Sequence, residues 1–275
     1  MAGHEQRPFR YDGKRVVITG AASGMGAATT AMLAAAGAEV HALDVAPVSG
    51  PCAATYETDC GDPASIDATL DRISSPIHCL FNVAGVPQTH APDRVFGVNF
   101  LGLRHVTERV LDGMMSDGGA IAHVASKAGS GWRNHLPQIL EVLATTDLPS
   151  GTAWATANLA ELGDPYFFSK ECVVVYTMKR AHELLDRGIR MNCLSPGPVE
   201  SPMMPDFRKA LGSSLLDWTA EQVGRMGRPE EMAGPLVFLN SDEASYVNGF
   251  DLMADGGFTG AMELGLVDLT TLPAG

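Results

Sequence analysis

Positive charge is scarce in this chain: 19 lysines and arginines stand against 32 aspartates and glutamates, a formal net charge of −13. Such a surface repels phosphate backbones and anionic headgroups, so neither nucleic acid nor a membrane is an expected partner. Long apolar runs are missing too. No stretch reaches the roughly 18 uninterrupted apolar residues of a membrane span, and the opening MAGHEQRPFRYDGK lacks the apolar run of a signal peptide. Cysteine is sparse and lacks a pairing pattern: five residues, at 52, 60, 79, 172 and 193, with no C-x-x-C. An odd count of this kind fits reduced thiols better than a disulfide framework, and no metal is invoked. The chain is therefore read as soluble and cytoplasmic.

What is plentiful is glycine, 30 residues, within a composition that is 45% hydrophobic. That suits an α/β protein with many tight turns and a sizeable core. Arg15-Val16-Val17-Ile18 reads as a buried strand that breaks into Thr19-Gly20-Ala21-Ala22-Ser23-Gly24-Met25-Gly26, and an alanine-rich helix over 27–36 stops at Gly37. Strand, glycine turn and helix in that order make a place for a pyrophosphate, because glycines admit the anion to the backbone amides at a helix N-terminus. An ordinary glycine-rich βα loop is the plainer alternative. The next apolar run, 39–43, ends in Asp44, 18 residues beyond Gly26. A carboxylate there accepts from both hydroxyls of an adenosine ribose and repels a 2′-phosphate, which favours NAD over NADP.

Further strands are expected at 54–58, ending before Asp59, at 79–81 leading into Asn82-Val83-Ala84-Gly85, at 120–124, at 190–194 and at 250–253. A helix over 93–115 carries Asn99 in its interior, where a polar side chain is mildly unfavourable. Ser126 stands at the end of the 120–124 strand, where ligand chemistry gathers in open α/β sheets. Residues 130–163 break the strand–helix rhythm: Leu136, Ile139, Leu140 and Leu143 predict one amphipathic helix stopped before Pro149, and a second is expected over 154–162. Asp164-Pro165 then suits a helix start, which puts Tyr166 and Lys170 four apart on one face. An ammonium beside a phenol favours the phenolate, giving an acid/base nearer neutral pH. Three prolines in 196–202 exclude regular structure there, and 203–226 is expected as either a mobile flap or surface helices. The whole chain is read as one doubly wound parallel sheet, a single Rossmann-type domain over 1–275.

With these residues in place the chain resembles the short-chain dehydrogenase/reductase family over about residues 14–260. The resemblance rests on T-G-x-x-x-G-x-G at 19–26, N-x-A-G at 82–85, Asn99, Ser126, Tyr-x-x-x-Lys at 166–170 and P-G-x-V-x-S at 196–201. It implies that Tyr166 exchanges the substrate proton, Lys170 holds the nicotinamide ribose, Ser126 bonds the substrate oxygen and Asn99 holds a water for proton relay. It also implies that Gly20, Ser23, Gly24, Met25, Gly26, Asp44, Asp59, Cys60, Asn82, Ala84, Gly85, Pro196, Gly197, Val199 and Ser201 line the dinucleotide, with Tyr166 and Lys170. A homo-oligomer, dimer or tetramer, is implied as well. Ser126 precedes Tyr166 by 40 residues, a wider gap than the family usually shows. That feature resembles the branch of bacterial 3α-hydroxysteroid dehydrogenase/carbonyl reductase and of coniferyl-alcohol dehydrogenases. The insertion is then expected to wall the substrate site, to alter subunit contacts, or both. Trp132, Leu136, Trp154, Met203, Met204, Phe207 and Trp218 are candidates for an apolar pocket suited to a steroid or an aryl alcohol. The expected activity is NAD-dependent interconversion of an alcohol and its ketone or aldehyde. The alternative is a catalytically silent NAD(H)-binding regulatory protein of the same fold.

Overall fold

The computed structural model describes residues 9–273, so most of the polar N-terminal opening and the last two residues of the tail lie outside the described residues. Seven strands form one parallel sheet: β1 Arg15–Thr19, β2 Glu39–Asp44, β3 Ala54–Glu57, β4 Ile77–Asn82, β5 Met115–Val124, β6 Arg190–Pro196 and β7 Asp251–Ala254. Their order is β3-β2-β1-β4-β5-β6-β7, so the chain reverses direction across the sheet between β1 and β4. Alternation along the strands divides the core between the two faces. Val17, Leu80, Ile121 and Met191 point to one side, and Val16, Ile18, Phe81 and Ala122 to the other.

The second side is covered by α1 Gly24–Ala35 and α10 Pro229–Asn240. The first is covered by α2 Pro63–Leu70, α4 Leu103–Leu111 and α7 Pro165–Glu183. Asp164 caps α7 as expected, its carboxylate accepting from the Tyr166 amide at 2.7 Å. Among the described residues no helix is long and apolar enough to cross a membrane. All five cysteines are free thiols.

The structure corrects several expected boundaries. The helix over 93–115 is three pieces: α3 Pro92–Phe96, a π-helical turn Gly97–Gly102 and α4. β5 starts at Met115 rather than 120, because Met115 pairs with Ile77 across the Ser116–Gly119 irregularity. Residues 203–226 form two helices, α8 Met204–Leu211 and α9 Ser213–Gln222. The C-terminal segment adds α11 Phe258–Glu263 and a turn whose Thr271 hydroxyl accepts from the Trp218 indole at 2.9 Å.

The 130–163 insertion opens with a 3₁₀ stretch, Lys127–His135, followed by α5 Leu136–Leu143 and α6 Leu148–Asn158. In α5 the buried residues are Ile139 and Val142, while Leu140 is exposed, so the apolar stripe is rotated from the expected one. Pro149 does not end a helix; it lies in the first turn of α6, which Asp147 caps. Both helices pack on α7, with Trp154 stacked on Phe168 at 5.8 Å and Phe168 stacked on Phe96 at 5.7 Å. Successive helical residues are about 100° apart, so Phe168 faces away from Tyr166. Trp154 is thus part of the core behind α7 and does not line a pocket at Tyr166. Replacing Trp154 with Ala is expected to lower unfolding stability by about 2–3 kcal/mol, less than for a fully buried Trp, as read by urea denaturation. A loss below about 0.5 kcal/mol, the scale of an ordinary surface substitution, would show that the stack carries no weight.

Candidate active site

The glycine turn leads directly into α1. Gly20 has φ +71° and Gly24 φ +51°, so the turn uses the left-handed region in which glycine is free of strain. A Cβ on Gly26 would stand 1.8 Å from the Gly20 carbonyl oxygen, and one on Gly20 would stand 2.6 Å from the Ala84 backbone. The Thr19 hydroxyl accepts from the Val83 and Ala84 amides, both at 3.2 Å, and so ties the 82–85 turn to the 19–26 turn. Ser23 makes no side-chain cap at the start of α1, and no acid occupies its first turn. The helix therefore presents uncapped amides and an uncompensated positive end, and a Cβ on Gly24 would meet Ser201 Cβ and Pro202 Cδ at 3.6 and 3.7 Å, which brings the 196–202 loop over the turn. That geometry fits a diphosphate, with Met25 half-buried beside it.

Asp44 stands at the end of β2 beside this turn, its carboxylate accepting from the Ala22 and Ala46 amides at 2.9 Å each. Asp59 is held at the end of β3 by Arg94 of α3, with contacts of 3.0 and 2.8 Å, and accepts from the Gly61 amide at 2.7 Å. Burial works against the Asp59 carboxylate, but the Arg94 and Gly61 hydrogen bonds hold it below the usual range. Arg94 had no signal in the sequence; only the fold brings α3 to β3. Cys60 is buried, and its thiol is pushed up to about 12 by that burial. Asn82 is also buried, donating to the Thr107 hydroxyl at 2.9 Å and meeting His123 Nδ1 at 3.1 Å. On the far wall Pro196 pairs with Ala254, Gly197 lies so close to Asp255 that a Cβ would meet it at 2.9 Å, and Val199 bridges to Gly227.

The reacting groups meet where β5 and α7 converge. Ser126 accepts from the Ala128 amide at 3.1 Å, and its side chain acts on the Tyr166 phenol, favouring the phenolate. The Lys170 ammonium donates to the Val124 carbonyl at 2.9 Å and lies 5.7 Å from the Tyr166 ring centroid. Burial raises the Tyr166 phenol to about 12, with Ser126 opposing it, and lowers Lys170 to about 8. The expectation that Lys170 depresses Tyr166 is therefore not met in this arrangement. The ammonium is turned to a carbonyl, and loss of water dominates both groups. The π turn carries Asn99 inward. Its Oδ1 accepts from the Val86 amide at 2.8 Å and its Nδ2 donates to the Val86 carbonyl at 3.0 Å, so its side chain fixes the Gly85-Val86 turn. Gly85 in turn faces both Asn99 Oδ1 and Lys170 Nζ. A helical register alone gives no sign of a π turn, a feature frequent at functional sites.

Of the apolar candidates, Phe207 meets the Tyr166 ring edge-to-face at 5.3 Å. Met203 and Met204 stand at the start of the same helix, half-buried and buried. Trp132 and Leu136 pack against the core cluster that holds Phe168. Trp218 belongs to a separate cluster with Phe258 and Val267.

A doubly wound sheet with a glycine turn at an uncapped helix N-terminus and a Ser/Tyr/Lys centre at its carboxyl edge fits a dinucleotide-dependent oxidoreductase. Residues 14–137 match the family described as short chain dehydrogenase, and residues 152–259 match the one described as Enoyl-(Acyl carrier protein) reductase. The chain is 34% identical over 245 residues to a coniferyl-alcohol dehydrogenase of Pseudomonas sp. (strain HR199 / DSM 7063), covering 89% of this chain and 96% of that one. It is 30% identical over 255 residues to the 3-alpha-hydroxysteroid dehydrogenase/carbonyl reductase of Comamonas testosteroni, covering 90% and 97%. The crystal structure of the 3-alpha-hydroxysteroid dehydrogenase from Pseudomonas sp. B-0831, complexed with NADH, superposes with a TM-score of 0.77 at 28% identity, over 93% of this chain and 100% of that one. The chain belongs to the short-chain dehydrogenase/reductase family, whose members use a nicotinamide cofactor.

Asn99 offers a direct check on this assembly. Replacing it with Leu leaves the Val86 amide and carbonyl unpartnered, at an expected cost of roughly 2–4 kcal/mol in denaturant unfolding. An unchanged midpoint would show that Val86 finds other partners.

Proposed function

We propose that this chain is an NAD-dependent alcohol dehydrogenase/ketone reductase acting on a bulky apolar substrate, a hydroxysteroid or an aryl alcohol such as coniferyl alcohol. The observation that carries the reading is the gathering of Ser126, Tyr166 and the buried Lys170 where β5 meets α7, in a sheet whose first glycine turn leaves a helix N-terminus uncapped. The substrate class is supported by the relatives' names, which specify coniferyl alcohol and 3α-hydroxysteroids, and by the Phe207 ring against Tyr166. Asp44 supports NAD, since its negative charge beside the glycine turn opposes a 2′-phosphate. A bound nicotinamide supplies the hydride acceptor or donor.

The remaining work belongs to the chain. Ser126 orients the substrate oxygen beside the Tyr166 hydroxyl. Tyr166 gives its proton to that oxygen in reduction and takes one from it in oxidation. Lys170 holds the ribose, and Asn99 fixes the turn beneath it. The same reading puts the protein in the cytoplasm as a homo-oligomer, dimer or tetramer. It is supported by the acidic surface charge and by the exposed Leu264, Leu266 and Leu269 near the C-terminus.

The test is NADH formation over a panel of 3α- and 3β-hydroxysteroids, coniferyl and cinnamyl alcohols and small cyclic alcohols, with NAD and NADP in parallel. Tyr166→Phe is expected to lower kcat by about a hundred- to ten-thousandfold while NADH still binds. Turnover that survives this change overturns the role of Tyr166, and turnover with NADP alone overturns that of Asp44. Silence over the panel with NADH bound shifts the reading toward an unsampled substrate and then toward a regulatory protein.

The pH dependence has a definite sign. A Tyr166 phenol raised to about 12 is protonated at neutral pH, the form that donates in reduction. Oxidation needs that proton removed, and Lys170 loses its own near 8. Oxidative kcat/KM is therefore expected to rise with pH through about 8, and reductive kcat/KM to stay level or fall. A flat oxidative profile across that interval would contradict the assignment.

A further inference from the structure

Lys127 directly follows Ser126 and takes no part in the chemistry above. Its side chain is half-buried, with Nζ 4.8 Å from the centroid of the Phe258 ring. Within the described residues Nζ makes no hydrogen bond and no ion pair. Asp255 is the acid that acts on it, but the Asp255 carboxylate is already engaged by the Gly257 and Thr259 amides at 3.0 and 2.8 Å. An ammonium has three protons to donate, and an aromatic face satisfies them incompletely. Burial accordingly pulls the Lys127 pKa down, against the pull of Asp255.

The position gives this cation a direction. β5 ends at Val124 and β7 at Ala254, so Lys127 and Phe258 both stand at the carboxyl edge of the sheet, where the crevice lies. Consecutive Cα atoms are about 3.8 Å apart, which keeps Lys127 beside the residue that meets Tyr166. Phe258 itself packs edge-to-face on Trp218 of α9 at 5.9 Å, so the wall under the ammonium is apolar. One unpaired cation on an apolar wall, carried by the residue that follows Ser126, is an arrangement for an anion attached to an apolar body. The chain's net charge of −13 does not forbid this. Screening limits distant charges to about 8 Å at physiological salt, and the nearest charge decides.

We propose that Lys127 anchors a carboxylate on the substrate, so that the preferred alcohols or ketones carry an acid group on their ring body. This deepens the oxidoreductase reading and rests on it. The bond is a charge-assisted one from the ammonium to a carboxylate oxygen, stronger than a neutral hydrogen bond.

The probes are para-(hydroxymethyl)benzoate and its methyl ester, oxidised with NAD by the wild type, Lys127→Met and Lys127→Arg. The wild type is expected to have the lower KM for the acid. Lys127→Met should reduce the acid-to-ester ratio of kcat/KM roughly ten- to hundredfold, chiefly through KM, and Lys127→Arg should restore most of it. An equal loss on acid and ester, or a wild type that takes both alike, overturns the proposal. Calorimetric binding of benzoate and benzamide to the NADH-saturated protein needs no turnover. Benzoate binding that Lys127→Met weakens by a similar factor supports the anchor even where no alcohol is oxidised, and only the oxidoreductase reading then falls. Equal binding of benzoate and benzamide removes the anchor, while turnover of neutral alcohols keeps the enzyme reading. Should Lys127→Met weaken NADH binding by that same factor, the ammonium serves the dinucleotide and the proposal is wrong.

Discussion

A buried ammonium sets the terms for the centre of this molecule. Lys170 is 4% exposed, and a charge taken so far out of water costs several kcal/mol unless its protons find acceptors. The Val124 carbonyl accepts one of them, so β5 must end beside α7 at that residue. Parallel pairing of Val124 with Leu194 of β6 fixes the strand end. Gly129 must be small there, since a Cβ would stand 2.7 Å from the Lys170 carbonyl oxygen. Gly85 lies on the other side, where a Cβ would stand 3.2 Å from Asn99 Oδ1, a tight approach, and 3.8 Å from Nζ. Strand register thus holds the ammonium, Gly129 admits the backbone of the same residue, and Gly85 lies between the ammonium and the π turn.

The far face of the same helix is held by a different set of forces. Phe168 lies between Phe96 and Trp154 in a stacked series, and His135 meets it edge-on at 6.0 Å. Polar bonds pin the insertion around this stack. The Glu171 side chain is 5% exposed and bonds His135 at 2.6 Å. The Arg104 guanidinium, also buried, donates to Val142 O, Thr145 Oγ1 and Asp147 O. A buried guanidinium with its donors matched to three acceptors imposes a definite position on the loop that supplies them. Residues 130–163 are therefore integral to the core that orients α7, which is how a segment remote from Tyr166 bears on its placement.

The parts of this design that follow from local chemistry were legible in the sequence. The β1 run, the glycine turn, the Asp164-Pro165 start of α7 and the alternation of strands and helices each depend on neighbouring residues, and each is found. What was not legible depends on contacts between distant segments. The π turn at 97–102 has a composition that suits an α-helix equally well, and only the bonding of Asn99 to Val86 distinguishes it. β5 begins at Met115 because β4 lies alongside, although Ser116-Asp117-Gly118-Gly119 reads as a turn. In α5, Leu140 fits the apolar spacing yet is exposed, since what α7 and α6 cover is the Ile139/Val142 stripe. Trp154 looks like a pocket aromatic near a loop, and only the fold shows that Phe168 claims it.

The acid/base pair is the case where local and tertiary chemistry pull in opposite directions. Side by side in water, an ammonium lowers the pKa of a phenol and the phenolate raises that of the ammonium. Burial favours the neutral form of each, lifting Tyr166 to about 12 and dropping Lys170 to about 8. Here burial prevails because Lys170 points at Val124 and only Ser126 opposes the rise at Tyr166. The acid/base strength of the centre is thus a property of its burial as much as of the Tyr-x-x-x-Lys spacing itself.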